Sequence, residues 1–193
     1  MDILYLFWII VQCIVGYNLI LPVVLFLCSK IANRNAIQKS DAETSDYAVI
    51  VTAYSFTESL PWCVASILKL NHKNFVVYVV ADNCDTSELR FDDHRVILLK
   101  PEEVLSSNTR SHFYAIERFV RPHNRLIIID SDNLVHPELL NEIDFYFAQG
   151  YQAVQGLRAA KNLDTPYACL DAARDIYYHY YDGKLLFVLG SSA

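Results

Sequence analysis

Glycine is nearly missing where an α/β protein uses it most: none lies between Gly16 and Gly150, and the chain of 193 residues has 5 in all. Dinucleotide-binding turns and phosphate-cradling loops need glycine so that backbone N–H groups can approach the phosphates, so both are excluded from the first strand-to-helix turns. Paired cysteines are lacking too. Cys13, Cys28, Cys63, Cys84 and Cys169 are odd in number and scattered, which gives neither a zinc-ligand spacing nor a disulfide framework, and they read as reduced fillers. The 6 histidines form no close metal-ligand pair. From Asp46 onward 19 acidic residues stand against 13 basic ones with no basic stripe, which excludes nucleic acid as a partner.

Charge is absent from Ile3 to Cys28, where Gln12 and Asn18 are the clearly polar interruptions. At ~1.5 Å per helical residue this run can cross a hydrocarbon core of ~30 Å, so residues 3–28 are read as a transmembrane helix. A cleaved signal peptide would need a basic start and a shorter apolar stretch, whereas Asp2 precedes this one. Lys30, Arg34 and Lys39 follow the run and nothing basic comes before it, so the positive-inside tendency places the remainder on the cytoplasmic side of the cell membrane. Residues 29–45 are polar and without apolar periodicity and read as a linker, with a globular domain over 46–193.

Five short aliphatic runs in that domain predict buried strands: residues 47–53, 75–81, 95–99, 125–130 and 151–155. Between them Leu60, Val64, Ile67 and Leu68, then Phe113, Ile116 and Val120, then Leu139, Ile143 and Phe147, recur at helical spacing. Pro61 and Pro137 suit first-turn positions, where a missing N–H costs nothing, and a last helix is predicted from about Pro166 to Tyr181. Strand alternating with helix argues for right-handed βαβ units: a mostly parallel sheet with helices on both faces.

In such sheets ligands bind beyond the carboxyl ends of the strands, near the point where strand order reverses. The residues there are Thr52, Ala53 and Tyr54 after the first run, Asp82 to Asp85 after the second, Asp130 and Asp132 after the fourth, and Gln155 after the fifth. Without glycine-rich loops, phosphate charge at this edge has to be met by a divalent cation on carboxylates. Mg²⁺ and Mn²⁺ take oxygen ligands and keep positions open for substrate phosphates. Asp130 and Asp132, two apart in extended chain, project to one side and can share a site; alone, such a pair more often solvates a turn or caps a helix.

Taken in order, "YAVIVTAY", "VVYVVADNCDTS", "LIIIDSDNLVHPELL" and "YQAVQGLRAAKN" resemble the nucleotide-sugar-binding half of a family 2 glycosyltransferase, over about Tyr47 to Ala193. The resemblance implies an α/β, Rossmann-like GT-A fold behind one N-terminal transmembrane helix. It implies Thr52, Ala53 and Tyr54 at the nucleobase pocket, Asp82 reading uracil or ribose, and Asp130 with Asp132 as the metal motif, Asp132 the firmer ligand. It also implies Asp85 assisting at the second strand end, or else capping the next segment, Arg110 near the phosphates, and Gln155 and Arg158 in the string after the fifth strand. After the first strand the chain reads Tyr54-Ser55-Phe56-Thr57-Glu58 where the family continues Tyr-Asn-Glu.

The activity so implied is inverting transfer of a hexose from a nucleoside diphosphate sugar, UDP-linked, to a saccharide or lipid-linked acceptor at the cytoplasmic membrane face, with Mg²⁺ or Mn²⁺ as cofactor. The catalytic base and the Gln-x-x-Arg-Trp motif are expected beyond Ala193, so the chain reads as a fragment that binds donor. Two alternatives share features with it: a haloacid dehalogenase-type phosphatase, whose nucleophile sits in an Asp-x-Asp string, and a non-catalytic membrane-anchored module that binds a nucleotide sugar. A nucleotidyltransferase would want the glycine-rich first loop that is absent.

Overall fold

The computed structural model describes residues 2–32 and 45–190. Most of the expected linker, residues 33–44, lies outside the described residues. The chain forms two compact units, Lys39–Val154 on the one hand and Met1–Gln38 with Gln155–Ala193 on the other.

The first unit is built on four parallel strands, β1 (Tyr47–Tyr54), β2 (Phe75–Asp82), β3 (Val96–Leu99) and β4 (Arg125–Asp130), in the order β3-β2-β1-β4. β2 is buried along its whole length and β1 almost so, which is why both read as unbroken apolar runs without alternation. α2 (Leu60–Leu68) and α4 (Leu139–Ala148) supply Leu60, Val64, Ile67, Leu140 and Ile143 to a core on one face, against Val49, Val51, Val77 and Val79. On the other face α3 (Asn108–Ile116) sets Ala115 in a smaller core with Ala48, Ile50, Tyr78 and Val80. Side chains alternate across a strand, so even-numbered residues of β1 face α3 and odd-numbered ones face α2 and α4. Truncating Ile50, which is fully buried, would remove about 2–5 kcal/mol through lost transfer energy and the cavity left behind.

The fifth predicted strand is not formed. Tyr151–Gln155 is irregular and makes no ladder, and only Val154 packs partly on the main core. The run follows Gly150, whose φ of 90° turns the chain out of α4. A five-residue aliphatic run becomes a strand only where an edge receives its backbone groups. β4 is the end of the described sheet, with Leu126 and Ile128 on its α3 side 43% and 47% exposed.

The second unit contains α1 (Ile3–Ile31), α5 (Pro166–Tyr178), a π-helical turn His179–Leu185 and the short α6 (Leu186–Val188). α1 has 29 residues, none of them buried, and is long and apolar enough to cross a membrane. Its polar side chains bond to its own backbone: Asn18 Nδ2 donates to Ile14 O at 2.8 Å and Ser29 Oγ to Phe26 O at 2.7 Å. α5 starts where Thr165 Oγ1 accepts from the Ala168 N–H at 3.1 Å, with Pro166 in the first turn.

Two polar clusters tie the amino-terminal edge of the sheet. Asp144 of α4 accepts from the Tyr47 hydroxyl at 2.6 Å and the Ser45 N–H at 3.3 Å, and stands 3.3 Å from His72 Nε2. In the second, Arg121 grips Asp46 through Nε at 3.0 Å and Nη2 at 2.7 Å. His123 Nδ1 lies 3.0 Å from the same carboxylate at ion-pair distance, without hydrogen-bond alignment. The Val120 N–H donates to Tyr78 Oη at 3.0 Å, which leaves the phenol proton for His123 Nε2, 2.9 Å away.

Candidate functional site

The chain crosses from β3, at one end of the sheet, back to β4 on the far side of β1, so strand order reverses between β1 and β4. Their carboxyl ends frame the crevice where sheets of this type take ligands. Ladder pairing sets what meets there: Tyr54 is opposite Asp82 across β1 and β2, and Thr52 is opposite Asp130 across β1 and β4. All four are even-numbered, so they share the α3 face. Arg110 and His112 come from α3 itself. Ala53 is odd-numbered and 4% exposed, packed into the core of the opposite face, so only its backbone belongs to this edge.

The turns leaving this edge do without glycine at a conformational cost. Ser55 (φ 63°), Asn83 (φ 54°) and Ser106 (φ 50°) are the left-handed non-glycine residues among those described, and each follows a site segment directly. They are bonded together. The Ser55 N–H donates to Asp82 O at 3.1 Å, Asn83 Nδ2 to Ser55 Oγ at 3.4 Å, and the Ser106 N–H to Asp82 Oδ2 at 2.8 Å. The Leu105 N–H takes the other carboxylate oxygen, Oδ1, at 2.9 Å. Asp82 is 1% exposed, so this buried carboxylate has its charge met by two backbone donors rather than by solvent. Ser106 Oγ in turn lies 3.4 Å from the hydroxyl of Tyr54, a residue that is 50% exposed. Burial pushes the Cys84 thiol up, in keeping with an unreactive filler.

Asp130 ends β4 and opens a tight turn: its carbonyl accepts from the Asn133 N–H at 3.0 Å and its Oδ2 from Asn133 Nδ2 at 3.3 Å. Asp132 lies exposed within that turn. Burial holds the His112 imidazole below the usual histidine range, partly offset by the Asp130 carboxylate. Among the described residues no group of three or more His, Cys, Asp or Glu side chains could hold a metal by itself. Two exposed carboxylates on one turn fit instead a cation shared with a ligand's phosphate oxygens, the manner in which Mg²⁺ and Mn²⁺ are held at nucleotide sites.

Other predicted site residues fall elsewhere. Asp85 Oδ1 accepts from the Ser87 N–H at 2.9 Å, and that bond holds its carboxyl below the ordinary aspartate range, so Asp85 organises its own turn. Arg110 Nη1 donates to Leu105 O at 3.4 Å, the carbonyl beside the two donors to Asp82. Gln155 is exposed and begins the carboxyl-terminal part of the second unit. Sequence reasoning passed over Ser106, Asn133 and His112. The string Ser106-Ser107 before the α3 pattern carried a turn signal, whereas nothing in a sequence shows which carboxylate a loop's amides will reach.

The sequence matches the model of "Glycosyltransferase like family 2" over residues 45–187. No curated protein matches it. Among solved structures, the mannosyltransferase PcManGT from Pyrobaculum calidifontis, in complex with GDP-Man and Mn²⁺, superposes with a TM-score of 0.54 at 14% identity over 64% of this chain. S. aureus TarS 1-349 superposes with a TM-score of 0.51 at 17% identity over 63%. This chain covers 39% and 38% of those two structures, so it spans about two fifths of their length. At such identities the likeness is one of fold: a GT-A sheet whose switch point lies where Thr52, Tyr54, Asp82 and Asp130 meet. With the family match extending from just before β1 to the end of α5 and beyond, the chain belongs to the family 2-like glycosyltransferases.

Proposed function

We propose that this chain is the donor-binding part of a membrane-anchored glycosyltransferase that transfers a hexose, with inversion, from a nucleoside diphosphate sugar to a saccharide or lipid-linked acceptor. The observation that carries the reading is the ladder register, which brings Thr52, Tyr54, Asp82 and Asp130 to one face of the switch point. The half-exposed ring of Tyr54 offers a nucleobase a stacking surface, and the Asp82 side of the edge closes the nucleoside end. Asp130 and Asp132 would hold Mg²⁺ or Mn²⁺ against the diphosphate, where such an ion withdraws charge from the departing phosphate. Arg110 stands on α3 at the same edge, with donors suited to phosphate oxygens.

The similar mannosyltransferase structure contains GDP-Man with Mn²⁺, which supports a sugar nucleotide with a divalent ion as ligand class. The uridine base is the part of this proposal that rests on the family resemblance. Anchoring rests on α1, which at ~1.5 Å per residue is longer than a hydrocarbon core of ~30 Å, with Lys30 at its carboxyl end placing the sheet unit at the cytoplasmic face.

Titration calorimetry of the full chain in detergent, with UDP and GDP in the presence and absence of Mn²⁺, tests the reading. Metal-dependent binding of UDP is expected, weakened by about 10–100-fold in Asp132→Ala, the usual size of a lost metal contact. Unchanged metal-dependent affinity in that variant would refute the carboxylate site.

A further inference from the structure

We propose that Asp82 is a positioning residue, not a reader of the nucleobase: it locks the Leu105–Ser106 loop so that Ser106 Oγ stands beside the Tyr54 hydroxyl as the polar contact facing the nucleoside. The inference rests on the nucleotide-binding reading above and names the residue that would set base specificity. Its physical basis is access. A residue 1% exposed, with each carboxylate oxygen already taking a backbone N–H at 2.9 or 2.8 Å, presents no surface to a ligand. Ser106 is exposed and reaches the rim at 3.4 Å from Tyr54 Oη.

The loop needs such an anchor. Ser106 is held at φ 50°, a conformation that costs an L-residue about 1–2 kcal/mol, and a loop free to choose would leave it. Two charge-assisted hydrogen bonds from consecutive N–H groups to one buried carboxylate outweigh that cost. The same loop offers Leu105 O to Arg110 Nη1, so one aspartate indirectly places the hydroxyl at the nucleoside end and the guanidinium assigned to the phosphates. Ser55 and Asn83, both left-handed and both joined to Asp82 or to each other, brace it from the neighbouring strand ends.

The test is a double-mutant cycle with Asp82→Asn and Ser106→Gly in the full chain, read by UDP affinity with Mn²⁺ and by amide hydrogen exchange. An asparagine of equal size turns an NH₂ toward one of the two backbone donors, and glycine takes φ 50° without penalty. Asp82→Asn should speed exchange of the Leu105 and Ser106 amides by about tenfold or more while Val79 in β2 stays protected, and should weaken UDP binding by about tenfold. In the Ser106→Gly background the same Asp82→Asn change should cost little further affinity, because its effect travels through Ser106. A full tenfold loss in both backgrounds would mean that Asp82 touches the ligand, and would overturn the proposal. So would unchanged exchange at Leu105 and Ser106, or loss of protection at Val79 as well, which would assign Asp82 to stability of the fold alone. If the wild-type chain binds neither UDP nor GDP, the nucleotide reading falls and Ser106 has no base to select. The exchange experiment then still decides whether Asp82 anchors the loop.

Discussion

Removing the Asp144 carboxylate should loosen the amino-terminal edge of the sheet by an amount its geometry sets. Asp144 is 5% exposed and serves three groups: the Tyr47 hydroxyl at 2.6 Å, the Ser45 N–H at 3.3 Å and His72 Nε2 at 3.3 Å. His72 Nδ1 takes the Asn74 N–H at 3.3 Å, which makes Nε2 the protonated nitrogen and a donor to Asp144. Asp144→Ala therefore strands two buried side-chain donors, Tyr47 Oη and His72 Nε2. An unsatisfied buried polar group costs about 1–3 kcal/mol, so the variant should lose roughly 3–5 kcal/mol. Asp144→Asn keeps one acceptor for Tyr47 and should lose about 1–2 kcal/mol. At about 2–4 °C per kcal/mol for a chain of this size, Asp144→Ala should lower Tm by roughly 6–15 °C. Thermal unfolding followed by circular dichroism, beside Tyr47→Phe and the double variant, gives the coupling between the two residues. Burial, and then the bond to Asp144, raises the Tyr47 phenol far above its ordinary range, so Tyr47 stays a donor across any usable pH. A loss below 1 kcal/mol for Asp144→Ala, or full additivity with Tyr47→Phe, would refute this account of the cluster.

Acid should act first through His123, whose imidazole burial holds below its ordinary value against the partly compensating field of Asp46. Its folded form takes up a proton less readily than its unfolded form, so its contribution is present above about pH 6.5 and is lost as pH falls below that; denaturant midpoints at pH 7.5 and 5.5 should differ in wild type and less in His123→Gln. Asp93, held at about 2 by its bonds from Arg95, adds a second loss as pH falls below about 4. Ser55→Gly relieves a left-handed serine and should stabilise by about 0.5–1 kcal/mol in the same assay, and destabilisation would show that the Asn83 contact outweighs the backbone cost. Ile128→Thr, on the exposed side of edge strand β4, should change stability by less than about 0.5 kcal/mol, whereas Ile129→Ala, 6% exposed, should cost about 2–5 kcal/mol in urea unfolding.

Four strands were legible because β1 and β2 are buried on both faces and such strands must be aliphatic throughout, while β3 and β4 keep enough of that pattern. The run at Tyr151–Gln155 has the same composition and is not a strand, because pairing depends on an available edge and not on the run. The acidic strand ends were visible too: Asp82 and Asp130 close β2 and β4. Their environments were not visible. One carboxylate is sealed under two loop amides and the other lies open on a turn, a difference made by the loop before α3 and by neighbours far away in sequence.

The sequence alone determined the apolar amino-terminal helix, the alternation that makes a parallel α/β sheet, and the absence of glycine that rules out a phosphate-cradling loop, since all three follow from local composition and spacing. Only the tertiary structure decided that strand order reverses between β1 and β4, that Thr52 meets Asp130 and Tyr54 meets Asp82, and that serines and an asparagine take the left-handed positions glycine would fill. Those are outcomes of which distant backbone groups find one another, and hydrogen-bond partners across a sheet are chosen by register and burial, not by the residues beside them in the chain.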